Sequence, residues 1–236
     1  MVLSFKAYVQ TLLKKHNEER VFRFEYLGKY YWLKQPERLK GIWLILKPYP
    51  KKHFKEECYI LQKLNSIGAP VPKLCDFSDD HLVLEDVGPT LNCWLDNNEI
   101  NWAQKENILQ TAIRALIQLH QKGIIHGRPA IRDIAWQSGK VRFMDFESHS
   151  KSYNKQWLIA RDMLAFLNSL CRVKNLNDKK LRALFDYYKL HCPSDYWIAM
   201  IRYIKKMRWL YYVLLPFKPI ARTDLLAIYR LFEHLK

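Results

Sequence analysis

Residues 126–147 read HGRPAIRDIAWQSGKVRFMDFE, and several of their side chains are suited to chemistry on charged groups. Asp133 follows His126 by seven residues, and Asp145 closes the apolar run VRFM. A carboxylate beside such a run is costly to bury without a partner, so metal ligation or an ion pair is expected at Asp145. Carboxylates offer the hard oxygen that magnesium takes. Arg128 cannot accept a proton, since its pKa lies above about 12. It can stabilise phosphoryl charge or hold an anionic group. Upstream, Glu57 lies in FKEECYILQKL. The pattern E-x-x-x-L-x-x-L sets it on the helix face adjoining the Leu stripe. From there it can point inward and hold the ammonium of Lys34, at the end of YYWLKQ. Glu56 competes for that part from one residue away.

These residues need elements to position them. Helical spacing over residues 4–15 (Phe5, Tyr8, Val9, Leu12, Leu13) predicts a first helix. VFRFEY and YYWLKQ, β-branched or aromatic around a Gly, predict a hairpin. A basic connector, PERLKGIWLILKPYPKK, leads to a helix over 53–66 with Phe54, Cys58, Leu61 and Leu64 on one face, ended by GAPVP. KLCDF and HLVLEDV predict two more short strands around SDD. Beyond residue 88 the pattern is mainly helical. One helix runs from Trp102 to Lys122 and stops at Gly123. Others are expected around 156–170 and 178–190, followed by a long aromatic region at 194–213. A last helix is predicted from Thr223 as N-cap, with Asp224 in its first turn.

In this order, strand pair, helix, strand pair, linker, long helix, loop and short strands, residues 20 to 170 resemble the two-lobed protein-kinase-like superfamily. Within it the sequence is most similar to bacterial kinases of lipopolysaccharide-core sugars (Kdo and heptose kinases) and to compact atypical kinases. The resemblance implies an α+β fold. Residues 1–88 form a small lobe, an antiparallel sheet with one main helix behind an N-terminal helix, and residues 89–236 a larger helical lobe. It implies ATP and magnesium as cofactors. Lys34 then meets the nucleotide phosphates, with Glu57 holding it, and backbone groups near Glu85 and Val87 of LVLEDVG take the adenine edge. His126 opens the catalytic loop, Arg128 stands where that loop carries its base, and Asp133 takes the place of its metal-binding Asn. Asp145 matches the metal-binding Asp of D-F-G, with Glu147 replacing the Gly. Asp162, in WLIARDMLAFL, matches the Asp that anchors the loop backbone. Two departures stand out. No Gly-rich phosphate loop precedes Lys34, since Gly28 is the only Gly before residue 41. The base is replaced by Arg128, which phosphoryl transfer tolerates because it depends mostly on positioning and charge neutralisation.

Composition narrows the function. The 236 residues suffice for two lobes, and no internal repeat is visible. Five scattered Cys without a C-x-x-C pair read as reduced thiols of a cytoplasmic protein. The amino terminus lacks the pattern of a signal peptide, and no apolar run approaches the roughly 20 residues of a membrane span. A net charge of +16 favours a polyanionic partner. An anionic glycolipid or membrane surface is the first candidate and nucleic acid the second. Residues 29–54 carry Lys29, Lys34, Arg38, Lys40, Lys47, Lys51 and Lys52 against Glu37 alone. The carboxyl end interleaves Arg202, Lys205, Lys206, Arg208, Lys218 and Arg222 with Trp209, Tyr211, Tyr212 and Phe217. These aromatics suit a membrane interface or single-stranded nucleic acid, but the favoured expectation is a second-lobe core ringed by bases. The sequence therefore predicts a kinase-like phosphotransferase acting on a lipopolysaccharide-core sugar or related envelope glycolipid. Its location would be the cytoplasm, peripherally at the inner membrane. The alternatives are a pseudokinase binding module and a compact protein or RNA-linked kinase. The sequence leaves the oligomeric state open.

Overall fold

A computed structural model describes residues 3–37, 50–146 and 154–235. Most of the basic connector, with Arg38, Lys40 and Lys47, and also Glu147, lies outside the described residues. The chain divides into two compact units, Met1–Val87 and Gly88–Lys236.

The first unit is a four-stranded antiparallel sheet in the order β1-β2-β4-β3, built from β1 (Val21–Tyr26), β2 (Lys29–Lys34), β3 (Leu74–Phe77) and β4 (Leu82–Glu85). β1 and β2 pair in full register from Val21↔Lys34 to Tyr26↔Lys29, closed by Leu27 and Gly28 with φ of 50° and 73°. Two positive-φ residues match the right-handed twist of a two-residue hairpin. Gly28 adopts this conformation freely and Leu27 is strained in it.

Helix α1 (Phe5–Lys15) starts at Ser4, whose hydroxyl accepts the Ala7 amide, and packs on one sheet face. Val9 and Leu12 bury against Phe22, Phe24, Leu33 and Val83 there. Helix α2 (Pro50–Ser66) covers the other face, with Phe54, Cys58 and Leu61 against Leu82, Leu74 and Leu84. Successive strand residues point to opposite faces. Leu82 and Val83, neighbours in a central strand, are therefore both fully buried. The sequence reading gave the unit one main helix; α1 is the second layer of its core.

The second unit holds the helices. α3 (Leu91–Asp96) precedes α4 (Trp102–Gln121), which opens with a capping box between Asn101 and Gln104. A 3-10 turn (Ile131–Asp133) leads to the hairpin β5 (Ile134–Gln137) and β6 (Lys140–Phe143). α5 (Lys155–Cys171) is the central helix and buries Met163, Phe166, Leu167 and Leu170. Around it follow α6 (Asp178–His191), α7 (Ser194–Lys206), α8 (Arg208–Leu214), a 3-10 segment (Leu215–Ile220) and α9 (Thr223–His234).

Two expectations are corrected here. Thr223 is the first helical residue of α9, and the N-cap is Arg222, without a side-chain cap bond; Asp224 does lie in the first turn, where it also pairs with Arg172. The aromatic region is not all core. Tyr203 packs on Trp157 with ring centroids 4.6 Å apart, but α8 buries none of its residues, and Trp209, Tyr212 and Phe217 are exposed.

Candidate active site

The candidate residues fall in both units, and each group is described within its own. In the first, strand parity decides. Leu33 points to the α1 face, so Lys34 points to the face covered by α2. There its ammonium meets Glu57 Oε1 at 2.5 Å, both side chains partly exposed. Glu56, the competing choice, faces His53 at 3.6 Å. Next to Glu57, burial pushes the Cys58 thiol up to about 11, and the Glu57 charge adds to the shift.

The β1–β2 connection is only Leu27–Gly28, too short to fold over a phosphate chain. Lys34, held by Glu57, is thus a cation at the end of a hairpin whose own turn offers no such loop. The backbone at Glu85 is tied into the sheet through its donor. Its amide donates to the Lys73 carbonyl at 3.0 Å, and the Asp86 amide to the Tyr30 carbonyl at 3.0 Å. Pairing with β2 and with the residue before β3 thus takes both donors, and Val87 is the first residue beyond the ladder.

In the second unit the loop 126–133 is tied down by one carboxylate. Asp162 is fully buried on α5, and its two oxygens accept the amides of His126 at 2.7 Å and Gly127 at 2.9 Å. His120 Nε2 donates to the same carboxylate at 3.1 Å. Three donors compensate a charge that would otherwise be costly to bury. His126 Nε2 donates to the Met144 carbonyl at 2.8 Å, and its ring stacks on Phe146 with centroids 4.5 Å apart. The loop is thereby fastened to the segment after β6 that carries Asp145. His120 and Phe146 were not singled out in the sequence. His120 lies among α4 core residues and looks like one of them, and Phe146 carries no signal beyond its place after Asp145.

The Met144 amide in turn donates to the Asp133 carbonyl at 2.8 Å, which brings Asp133 and Asp145 together. Asp145 has φ of 61°, rare for a side-chain-bearing residue and a local strain of about 1–3 kcal/mol. Strain of this kind persists where the surroundings fix it, here through the hydrogen bonds of Met144 and the stacking of Phe146 on His126. Asp133 carries the electrostatic signature of the site. Burial pushes its carboxyl up to about 6, Asp145 adds to the rise, and Arg132 and Arg128 oppose it. Arg132 Nε lies 3.6 Å from Asp133 Oδ1. Arg128 and Asp145 are exposed. Thus Arg128, Asp133 and Asp145 share one electrostatic neighbourhood.

Beside this turn opens a cavity of about 370 Å³ in the second unit. Arg132, Arg172 and Lys174 stand in its wall with Asn92, Asp96 and Asn175. It combines cations with groups that hydrogen-bond hydroxyls.

The RIO domain family matches residues 45–180, more than half of the chain. The chain belongs to the RIO-domain family. A protein of Haemophilus influenzae (strain ATCC 51907 / DSM 11121 / KW20 / Rd), described as uncharacterized, is 54% identical over 229 residues, 97% of this chain and 95% of that protein. The RIO domain is an atypical kinase-like domain, so the kinase-like superfamily and the α+β fold, small sheet unit first and larger helical unit second, are both borne out. So are an ATP-using phosphotransferase activity and ATP with magnesium as cofactors. The resemblance to lipopolysaccharide-core kinases in particular gains nothing from the match.

The residues present fit that cofactor pair. Among the described residues no group of three or more His, Cys, Asp or Glu could hold a metal alone. Magnesium, however, binds to one or two carboxylates together with substrate phosphates and water. Asp133 and Asp145 are such a pair, and the mutual repulsion and burial that raise the Asp133 carboxyl are what a divalent cation would reverse.

Proposed function

We propose that this RIO domain transfers a phosphoryl group from ATP to a hydroxyl of an anionic sugar, a lipopolysaccharide-core sugar or related envelope glycolipid. The observation that carries the acceptor reading is the cavity beside the Asp133 turn. Its wall pairs Arg132, Arg172 and Lys174 with amide and carboxylate groups. Cations recognise the acidic or phosphorylated part of such a sugar, and the polar groups recognise its hydroxyls. The net charge of +16 suits an anionic acceptor surface. A peripheral location at the inner membrane follows from that acceptor. Among the described residues no helix is long and apolar enough to cross a membrane.

In this mechanism the magnesium ion neutralises charge on the phosphate oxygens when bound. Asp133 and Asp145 are the residues that would hold it. Lys34, fixed by Glu57, offsets further phosphate charge. Asp162 keeps the loop in place, so that Asp133 and Arg128 are positioned before substrate arrives, and such preorganisation is a large part of electrostatic catalysis. Arg128 cannot remove the acceptor proton. Its cation is available to stabilise transferred charge, in a reaction with little demand for base catalysis.

The test is transfer of labelled γ-phosphate from Mg·ATP to a detergent-solubilised glycolipid extract whose core phosphates have been removed. Label in the sugar fraction, reduced in an Arg132→Ala/Lys174→Ala variant that still binds ATP, supports the acceptor. Label confined to added protein or RNA substrates overturns it.

A further inference from the structure

α8 and the 3-10 segment after it, Arg208–Ile220, bury no residue. One side nevertheless rests on the protein. Tyr211 packs on Phe232 with centroids 5.4 Å apart, its hydroxyl donates to Glu233 at 3.2 Å, and the Tyr229 hydroxyl donates to the Leu214 carbonyl. The opposite side is apolar and faces solvent. Trp209 is 65% exposed, Tyr212 and Val213 57% each, Phe217 51% and Ile220 76%. Trp209, Tyr212 and Val213 follow the i, i+3, i+4 spacing of one helix face. A surface helix normally turns polar groups outward. A contiguous exposed apolar patch of this kind marks an interaction surface.

Its charge says what it meets. From Tyr196 to Thr223 the sequence contains Arg202, Lys205, Lys206, Arg208, Lys218 and Arg222 and no Asp or Glu. Of these six, only Lys218 forms an ion pair among the described residues, at 2.7 Å from Glu233. Exposed aromatics and aliphatics in a stretch of sequence whose only charges are cations fit the boundary between anionic headgroups and acyl chains. Trp and Tyr favour that depth. A second copy of the chain would bring like charge onto like charge. Single-stranded nucleic acid would use the rings but gain nothing from Val213 and Ile220. Backbone donors are also costly away from water, and Pro216 and Pro219 remove two of them from the exposed 3-10 segment.

We propose that Arg208–Ile220 is a membrane-docking face that seats Trp209, Tyr212, Val213, Phe217 and Ile220 in the interface of an anionic bilayer. The six cations bind its headgroups. The face rests on exposure and charge and not on the acceptor, although it would bring the phosphotransferase to a lipid-borne one.

The test is flotation of the full chain with phosphatidylcholine vesicles containing or lacking about one-third phosphatidylglycerol. Wild type should float with the anionic vesicles and much less with the neutral ones. Trp209→Ser/Phe217→Ser/Ile220→Ser should lower partitioning at least about tenfold, while its melting temperature and its ATP-dependent thermal shift stay those of wild type. Lys205→Glu/Lys206→Glu should also lower it, and brominated lipid should quench wild type more than a Trp209→Phe variant. Equal flotation of wild type and the triple variant overturns the proposal. So does a triple variant that loses dimerisation or RNA binding while wild type ignores vesicles. Phosphate transfer to a detergent-solubilised acceptor is read separately, so failure of docking and failure of the acceptor reading are distinguishable.

Discussion

The carboxylate of Asp162 holds the backbone amides of both His126 and Gly127, at 2.7 and 2.9 Å, from a fully buried position on the central helix. One side chain therefore sets the path of the loop that delivers Arg128 and Asp133. Asp162→Ala removes the acceptor and leaves two buried amides and His120 without it. Loss of one partner in a buried charged network costs about 3–5 kcal/mol. Asp162→Asn keeps one carbonyl acceptor and should cost less, about 1–3 kcal/mol. Urea denaturation of wild type and both variants measures the order. Equal stability of Asp162→Ala and wild type would show that the loop holds itself.

Lys34 and Glu57 form a pair whose value should lie in binding more than in stability. Partly exposed ion pairs contribute about 0–1 kcal/mol. Lys34→Met should thus leave the unfolding midpoint nearly unchanged but weaken ATP binding by about tenfold or more, the loss expected for a phosphate-directed cation. Glu57→Gln should weaken it less, since Lys34 remains. Calorimetric titration with ATP distinguishes the three proteins, and unchanged affinity in Lys34→Met would refute the phosphate role.

Asp133 and Asp145 give a pH-dependent prediction. The folded Asp133 carboxyl is raised from its ordinary 3.8 to about 6 in the metal-free protein. Its neutral form is favoured by the fold, so this group imposes no penalty at low pH. The penalty grows as pH rises from about 4 through about 6. Without metal, Asp133→Asn should therefore gain stability relative to wild type as pH goes from 5 to 7. Mg·ATP at pH 7 should reverse the order, raising the melting temperature of wild type more than that of Asp133→Asn or Asp145→Asn by mass action. Magnesium alone should shift wild type little, because two carboxylates need phosphate oxygens to complete the site. Equal shifts from magnesium with and without ATP would contradict that completion.

Much of this arrangement was legible in the sequence, for physical reasons. Strand alternation and β-branched or aromatic residues located β1, β2 and β4, and helical spacing located α1, α2 and α4 to within a few residues. The pairing of Lys34 with Glu57 followed from one face of a helix and the end of one strand. The sequence did not show that α1 is a core layer, because a helix with one apolar face looks the same whichever face of a sheet it covers. Nor did it show that the Glu85 amide is consumed by the residue before β3, since a hydrogen bond between backbones leaves no mark on side-chain type. Trp209, Tyr212 and Phe217 were misjudged for a related reason. Aromatic residues at helical spacing describe an apolar face, and only packing against α9 decides that it turns outward.

The thiols test the burial pattern directly. Burial pushes Cys58 and Cys192 up to about 11 and Cys171 up to about 12, whereas Cys93 is exposed. At pH 8 an aromatic disulfide reagent should modify Cys93 first, with Cys58, Cys171 and Cys192 reacting only as the protein unfolds. All five should react in urea without reductant, because all are free. Fewer than five would reveal a disulfide.

Arg128 decides how the loop works. The sequence resemblance sets it where kinase-like loops carry a base; the residue is exposed, and its charge acts on Asp133. If the cation stabilises transferred phosphate, Arg128→Ala should lower turnover by about 10²–10³-fold, the loss of one electrostatic stabiliser. ATP affinity should fall much less, because the interaction strengthens only as charge moves. Arg128→Asp removes the cation and adds a third carboxylate beside Asp133 and Asp145. Repulsion among them should raise the demand for magnesium, and turnover should be lower still at limiting metal. The measurement is turnover of wild type and both variants across a magnesium series, with ATP affinity taken in parallel. Full activity in Arg128→Ala would remove Arg128 from the chemistry. Higher activity in Arg128→Asp would mean that an ordinary base suits this loop better than the arginine it carries.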